Sequence, residues 1–277
     1  MPITPVELDE YLAFAEQLAE VAAHAIEPHF RSPLAVTDKG GGVYDPVTNA
    51  DRAAERAMRE LIGQRYPQHG ILGEEEVPVS GHSPLTWVLD PIDGTRSFIT
   101  GIPLWGTLIA LNDGVRPVLG IMNQPYTGER FVGTPQGAWL NGSPLRTRRC
   151  TELSQARLMC TSTEIFSDPL QLEAFQYVAA RVQLVRFGGD CYAYCMLAAG
   201  LVDVVIEASL KPYDVQALIP IVEGAGGKMT AWDGGDAQDG GAVLACGDPV
   251  LHELLVNELA PIDGTGVDKD VQWTLQS

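Results

Sequence analysis

The chain has 277 residues, 45% of them hydrophobic, which is enough for one large domain or two of ordinary size. Its 18 lysines and arginines face 36 aspartates and glutamates, and the net charge of −18 argues against partners such as nucleic acid or anionic lipid, which require a basic face. The sequence contains no run of about 18 apolar residues, so no membrane span is predicted. Its N-terminal segment lacks the basic start of a leader sequence. We therefore expect a cytoplasmic protein whose acidic residues are either solvated or hold metal cations.

Two helices and a glycine-rich loop are predicted near the N-terminus. Apolar residues recur at helical spacing over residues 4–30, and Thr4-Pro5-Val6-Glu7 has the form of a capping box with proline in the first turn. The segment TDKGGGVYDPVTNAD is too rich in glycine for regular structure. A second helix is predicted from about Asn49 to Gln64.

A run of short strands follows the second helix. The segment TWVLD is almost wholly apolar, as expected of a central strand, and the segments LWGTLIAL, RPVLGIMNQP, ERFVG and AWL follow it. Asn112-Asp113-Gly114, Thr127-Gly128 and Asn141-Gly142 are typical hairpin turns between such strands. This part of the sequence therefore predicts an antiparallel meander.

After about residue 150, strands alternate with helical stretches, which predicts α/β layering. We predict an N-terminal α+β half at 1–145, a C-terminal α/β half at 146–265 and a tail at 266–277, with one cleft between the halves. The five cysteines form no CxxC pair, so buried reduced thiols are expected.

The most informative segment is WVLDPIDGTRSF, which places Asp90 and Asp93 behind an apolar run. We expect the strand to end at Asp90 and Pro91 to force a turn, so that the two carboxylates point to one side. Such a pair repels unless a cation lies between the carboxylates, and Mg²⁺ prefers oxygen ligands in this arrangement. If Gly94 and Thr95 open a helix, their amides can bind a phosphate oxygen. The alternative for this motif alone is an aspartate-capped turn.

Three other segments place acids at the ends of predicted elements. Glu74 follows a short apolar strand in GILGEEE. Asp51 lies in the first turn of the second predicted helix, where the alternative is an ordinary acid favoured by the helix dipole. Asp214 lies just before a helix in LKPYDVQALIP, where the alternative is an N-cap. Four acidic ends around one phosphate-binding turn favour a metal site over four separate caps.

Together these motifs resemble the inositol monophosphatase superfamily, over roughly residues 8–260. The resemblance implies an αβαβα sandwich with a metal cleft between two halves. It also implies a homodimer that acts on a small phosphorylated metabolite and binds two to three Mg²⁺ ions per active site.

The resemblance also assigns roles position by position. Glu74 would bind the first Mg²⁺, Asp90 would bridge the first and second ions, and the Ile92 carbonyl would add a ligand to the first. Asp93 and Asp214 would complete the second site. Asp51 would be a catalytic outer acid near a third ion. Thr95 would orient the attacking water together with Glu74. The amides of Gly94 and Thr95 would bind the phosphate.

The segments DCYAY and LKPYD resemble one branch of this superfamily in particular, the histidinol-phosphate phosphatases. Their substrate carries an amine and an imidazole, so its pocket should offer carboxylates beyond the metal ligands. Asp190 and Glu207 are the candidates, against a helix N-cap for Asp190 and an exposed strand end for Glu207. Arg186 could reach substrate or a neighbouring subunit, or form a surface ion pair. Lys39 matches the family's loop lysine only approximately.

Two other functions remain open from the sequence. One is an inositol monophosphatase or a sugar phosphatase of broad specificity. The other is a regulatory protein that keeps the fold and acts by binding partners, although such a protein has no need of the complete set of acids.

Overall fold

The computed structural model describes residues 3–33, 36–38, 40 and 46–260. The described chain begins with helix α1 (Pro5–Ile26) and continues through the paired strands β1 (Val36–Asp38) and β2 (Pro46–Thr48) to helix α2 (Asn49–Arg65). The Thr4–Glu7 capping box is confirmed. Helix α1 is shorter than predicted and gives way to a 3₁₀ turn at 27–29, because Pro28 has no amide with which to continue it. Lys39 and most of the glycine-rich loop lie outside the described residues.

The first sheet has seven strands, and its order follows the chain from β3 to β9. Only β3 and β4 are parallel, so the predicted meander is confirmed, and the three predicted turns lie between its strands. A short helix, α3 (Thr95–Ile99), separates β4 from β5. The strands are β3 (Gly70–Gly73), β4 (Thr86–Asp93), β5 (Gly106–Asn112), β6 (Pro117–Gln124), β7 (Glu129–Thr134), β8 (Gly137–Leu140) and β9 (Ser143–Pro144).

The second sheet has five strands in the order β11-β10-β12-β14-β13. Strand β10 runs parallel to β11 and β12, and the other pairs are antiparallel. The elements are β10 (Arg157–Cys160), α4 (Pro169–Ala179), β11 (Leu184–Phe187), α5 (Cys191–Ala198), β12 (Val204–Leu210), α6 (Pro212–Val215), α7 (Leu218–Gly224), β13 (Lys228–Ala231), β14 (Gly241–Cys246) and α8 (Pro249–Leu259).

Three apolar cores join these elements into five layers. Helices α1 and α2 cover one face of the first sheet, α5 and α7 lie between the two sheets, and α4 and α8 cover the outer face of the second. The predicted αβαβα sandwich is therefore confirmed. The sheets fall on either side of residue 145, but a division into separate domains stays a prediction, and the tail lies outside the described residues. All five cysteines are buried and free, as predicted.

Strand β4 does not end where the sequence predicted. It continues through Pro91 to Asp93, because β4 contains a bulge. Asp90 pairs with Leu108 and Asp93 pairs with Gly106, so β4 advances three residues where its partner β5 advances two. Proline is tolerated at a bulge, where the ladder needs no amide donor. The Thr107 hydroxyl secures the bulge by donating to the Pro91 carbonyl at 2.8 Å.

A glycine groove seats helix α7 on the first sheet. Gly120 on β6 and Gly133 on β7 are directly opposite each other. A Cβ atom on Gly120 would lie 1.9 Å from the Ala217 carbonyl oxygen, and one on Gly133 would lie 2.2 Å from the Ile221 amide nitrogen. The backbone of α7 therefore contacts the sheet directly, and it follows immediately after α6.

Candidate active site

Three carboxylates meet where the two halves face each other. Asp90 and Asp93 come from the bulged end of β4, and Asp214 comes from the first turn of α6. One oxygen from each side chain lies within 4.8 Å of the other two. Asp214 is the third residue of its helix and accepts from the Lys211 amide at 2.7 Å, so it lies inside the helix rather than just before it.

The charges in this group are unfavourable without a cation. Removal from water, together with the neighbouring carboxylates, raises the pKa of Asp90 and the pKa of Asp214 well above their usual range. Removal from water also raises the pKa of Asp93 to about 6. A hard divalent cation would offset both the burial and the repulsion, and an all-oxygen donor set is the set such a cation prefers. The described residues therefore fit a metal site.

Glu74 lies beside this group. It follows β3, and its amide donates to the Leu89 carbonyl of β4 at 3.2 Å. Its carboxyl shares a hydrogen bond with Asp90 and contributes to the raised pKa of that residue. The parallel pairing of β3 with β4 thus brings a fourth acid to the end of the same strands.

Asp51 lies in the first turn of α2 and is fully buried. One of its oxygens, Oδ2, completes a capping box by accepting from the Thr48 amide at 2.9 Å and from the Thr48 hydroxyl at 2.5 Å. The other, Oδ1, has no partner among the described residues. Removal from water is the main reason that the pKa of Asp51 rises to about 6. A role as a first-turn acid accounts for only one of the two oxygens.

Gly94 and Thr95 form the turn from β4 into α3, as predicted. Gly94 has a φ of 82°, and a Cβ there would lie 2.7 Å from the Leu104 carbonyl oxygen, so this turn requires glycine. The Thr95 hydroxyl donates to the Ile92 carbonyl at 3.0 Å. Neither the Gly94 nor the Thr95 amide donates to another described residue, so both can bind an oxyanion.

Asp93 also links the two halves of the molecule. Its Oδ2 accepts from the Cys191 amide at 2.6 Å, which places a carboxylate at the N-terminus of α5. Such a position is favourable for a negative charge. No local pattern in the sequence predicted this contact, because the partners are 98 residues apart.

Glu207 is buried within β12 and is not an exposed strand end. Its Oε1 accepts from the Thr161 amide at 2.8 Å and from the Thr161 hydroxyl at 2.5 Å, and its Oε2 accepts from the Tyr194 hydroxyl at 3.1 Å. Removal from water raises the pKa of Glu207 to about 7, although the Thr161 donors oppose the rise. The sequence predicted neither donor for Glu207: Thr161 belongs to no motif, and Tyr194 lies in the DCYAY segment with no partner assigned to it.

Asp190 stands at the N-terminus of α5, but its side chain does not cap that helix. Its φ is 45°, and its amide donates to the Thr161 hydroxyl at 3.1 Å. Removal from water and then the charge of Asp93 raise the pKa of Asp190 to about 7, whereas Arg96, Ser97 and Thr161 oppose the rise. The N-cap interpretation is therefore wrong for this side chain.

These groups line a cleft of about 580 Å³ between the two halves. Asp93, Thr95, Asp190, Glu207 and Asp214 all contribute to its wall. By contrast, Arg186 lies outside the lining. It is exposed on the edge strand β11, and its side chain makes no hydrogen bond or ion pair with any described residue. A contact with a neighbouring subunit stays a prediction for Arg186.

Comparisons with known proteins agree with this geometry. Residues 7–264 match the model of the inositol monophosphatase family. The bifunctional phosphatase IMPL2 of Arabidopsis thaliana is 42% identical over 269 residues, which cover 93% of this chain and 77% of that protein. A histidinol-phosphatase of Chlorobaculum parvum is 38% identical over 218 residues, with coverage of 78% and 83%. A solved inositol monophosphatase from Zymomonas mobilis superposes with a TM-score of 0.82 at 42% identity, over 91% of this chain and 98% of that one.

Within the described residues, no helix has the length and apolar character needed to cross a membrane.

Proposed function

Because the chain belongs to the inositol monophosphatase family, whose members are metal-dependent phosphatases, we propose that it is a Mg²⁺-dependent histidinol-phosphatase. It would hydrolyse L-histidinol phosphate to L-histidinol and phosphate. The observation that carries this proposal is the pair Asp190 and Glu207, two carboxyl groups in the cleft that are separate from the three-carboxylate group. A substrate with a protonated amine and an imidazole has a use for both, whereas a neutral polyol needs no second acidic site.

The metal would be held by Asp90, Asp93, Asp214 and Glu74, with the Ile92 carbonyl as a further ligand and two to three ions in all. When bound, Mg²⁺ lowers the pKa of a coordinated water and stabilises charge on the ester oxygen. The bulge in β4 contributes here by turning Asp90 and Asp93 toward one point.

The turn at Gly94 and Thr95 would hold the phosphate. Neither amide donates to another described residue, so both can donate to phosphate oxygens. The Thr95 hydroxyl already donates to the Ile92 carbonyl, which leaves its oxygen to accept a hydrogen bond from the attacking water, with Glu74 as the second orienting group. The unpartnered oxygen of Asp51 would accept from an outer water.

The leaving group would lie against the C-terminal half. Thr161 fixes Glu207 and Asp190 relative to each other, because its hydroxyl donates to one residue and accepts from the amide of the other. A cationic amine bound there would restore the ionised form of both acids, which burial disfavours. The histidinol-phosphatase relative supports this assignment.

A substitution of Asp190 tests the substrate. Asp190→Asn should lower kcat/KM for histidinol phosphate by about ten- to a hundredfold, because a charge-assisted hydrogen bond contributes roughly 1.5–3 kcal/mol. Inositol phosphate and glycerol phosphate lack the cationic groups and should be hydrolysed about as before. Asp168→Asn is the matched control, since Asp168 does cap its helix by accepting from the Leu170 amide at 2.9 Å.

Two results would contradict the proposal. If all esters lose activity together in Asp190→Asn, that residue is structural. If the unmodified enzyme prefers inositol phosphate, the protein is an inositol monophosphatase, a candidate that the Zymomonas mobilis structure favours.

A purely regulatory role is disfavoured by the buried carboxylates, because keeping them without a metal costs stability. A cytoplasmic homodimer is part of the proposal, and sedimentation of the purified protein would test the dimer.

A further inference from the structure

An ion pair spans the mouth of the cleft and joins its two walls. Arg96, in the first turn of α3, donates from Nη1 to Oε2 of Glu164 at 3.2 Å. Arg96 belongs to the half that carries the phosphate turn, and Glu164 belongs to the opposite half, in a 3₁₀ turn at 163–165. Both residues line the cleft. Neither acts in the mechanism described above.

The backbone beneath Glu164 is held firmly. The Ser162 hydroxyl accepts from the Glu164 amide at 3.1 Å, and the Ser209 hydroxyl donates to the Ile165 carbonyl at 2.8 Å. Ser209 has a φ of 63° and lies two residues after Glu207, in the irregular end of β12. Glu164 is therefore built on the same framework as Glu207, a short distance along the chain from Thr161.

The pair itself is held weakly. The side chains of Arg96 and Glu164 are 43% and 70% exposed, and an ion pair in that setting contributes little to stability. Arg96 also lies close enough to Asp190 to oppose the rise in the pKa of that residue. The Arg96 guanidinium therefore acts on two carboxylates of the opposite wall, on Glu164 through a hydrogen bond and on Asp190 through its charge.

We propose that Glu164 is a specificity-determining residue that exchanges Arg96 for the ammonium group of an amine-bearing phosphate ester. This inference rests on the proposed function and deepens it. An ammonium group can approach Glu164 closely and can replace the positive charge of Arg96. An ester whose leaving group is neutral has no positive charge with which to replace it. Glu164 thereby adds to the preference that Asp190 and Glu207 establish deeper in the cleft.

The exchange predicts opposite effects from the two partners, because Arg96 competes with the substrate for Glu164. In Glu164→Gln, the ratio of kcat/KM for histidinol phosphate to that for glycerol phosphate should fall about three- to thirtyfold, mainly through KM. In Arg96→Gln the same ratio should rise about two- to fivefold. The double variant should behave like Glu164→Gln, since the competitor no longer matters once the acceptor is gone.

Glu223→Gln is the matched control. Glu223 accepts from Arg116 at 2.5 Å in an exposed ion pair that does not line this cleft, so its loss should leave the ratio unchanged. Melting temperatures of all variants establish that each one is folded before its kinetics are compared.

Three results would overturn the exchange. The first is a ratio in Glu164→Gln that equals the wild-type ratio. The second is an equal loss for both esters in Arg96→Gln, which would assign Arg96 to the phosphate. The third is a wild-type enzyme with no preference for histidinol phosphate, which would overturn the proposed function as well. The wild-type ratio therefore separates failure of the function from failure of the exchange.

Discussion

The two ends of the cleft are both acidic, but their carboxylates are balanced in different ways. At the metal end, the oxygens of Asp90, Asp93 and Asp214 face one another within 4.8 Å. At the other end, which we propose binds the substrate and call the substrate end, Glu207 receives three hydrogen bonds from Thr161 and Tyr194. One group of acids needs an external cation, and the other is ordered by the protein before any ligand binds.

This difference indicates how a strongly acidic chain can build two kinds of site from the same side chain. Carboxylates that repel one another and receive few hydrogen bonds form a site for a small, highly charged ion, because only such an ion offsets the free-energy cost of burying them. Carboxylates that are already hydrogen-bonded keep a fixed orientation and suit a larger cation with directional N–H groups. The two ends should therefore respond differently to substitution, to metal and to pH.

The largest effect is expected at the metal end. Asp93→Asn should lower kcat/KM by several orders of magnitude for every phosphate ester, because it removes a charge from the ion site. The fold should survive, since an asparagine oxygen can still accept from the Cys191 amide and cap α5. The test is to measure kcat/KM of the metal-saturated variant and to check its folding by circular dichroism. Activity close to that of the wild type would remove Asp93 from the metal site.

The next effect concerns metal and pH together. With Mg²⁺ at about a hundred times its Kd, binding should contribute about 2.7 kcal/mol and raise the Tm over that in EDTA by roughly 5–10 °C near neutral pH. The increment should be smaller at pH 5.5 and larger at pH 8. Thermal unfolding in both buffers across that range tests the prediction, and a Tm that ignores Mg²⁺ at pH 8 would contradict it.

The sign follows from the raised pKa values. Between the unfolded pKa near 4 and the folded pKa of about 6 for Asp93 or about 7 for Asp190 and Glu207, the folded protein binds more protons than the unfolded chain. Stability without metal therefore falls as pH rises through that window. Mg²⁺ binds the deprotonated acids of the metal end and offsets their share of this loss. Comparing the two buffers at each pH cancels groups remote from the cleft, such as His252, whose pKa burial lowers to about 4.

The smallest effect should confine itself to the substrate end. Thr161→Val leaves buried Glu207 without one donor and the Asp190 amide without its acceptor, which should cost roughly 1–3 kcal/mol of unfolding free energy. Thr161→Ser keeps the hydroxyl and is the matched control. The Tm increment produced by Mg²⁺ should be the same in both variants. A loss of that increment in Thr161→Val would show that the two ends are not independent.

The sequence was sufficient for most of the architecture. Helical periodicity, the Thr4 capping box and the hairpin turns are local signals, and each of them predicted an observed element. The acids at element ends were identifiable because a buried charge behind an apolar run needs a partner. The course of β4 was not, because whether Pro91 ends a strand or occupies a bulge depends on the partner strand β5.

The rest required contacts between distant parts of the chain. Asp93 accepts from the N-terminus of α5, and Arg96 pairs with a residue 68 positions away. Thr161 belongs to no motif, and its role exists only because β10, β12 and α5 converge on it. Such roles come from topology, and one sequence does not encode topology in any local pattern.

The groove formed by Gly120 and Gly133 has a consequence for how variants of this protein are interpreted. Both residues lie in sheet strands and neither touches the cleft, so each resembles a replaceable packing position. Yet they set how closely α7 approaches the sheet, and α7 is continuous with the segment that carries Asp214. Any side chain in the groove would push that segment outward and widen the spacing of the three carboxylates. Such a variant would lose metal affinity because the distance between α7 and the sheet had increased, although every ligand residue was still present.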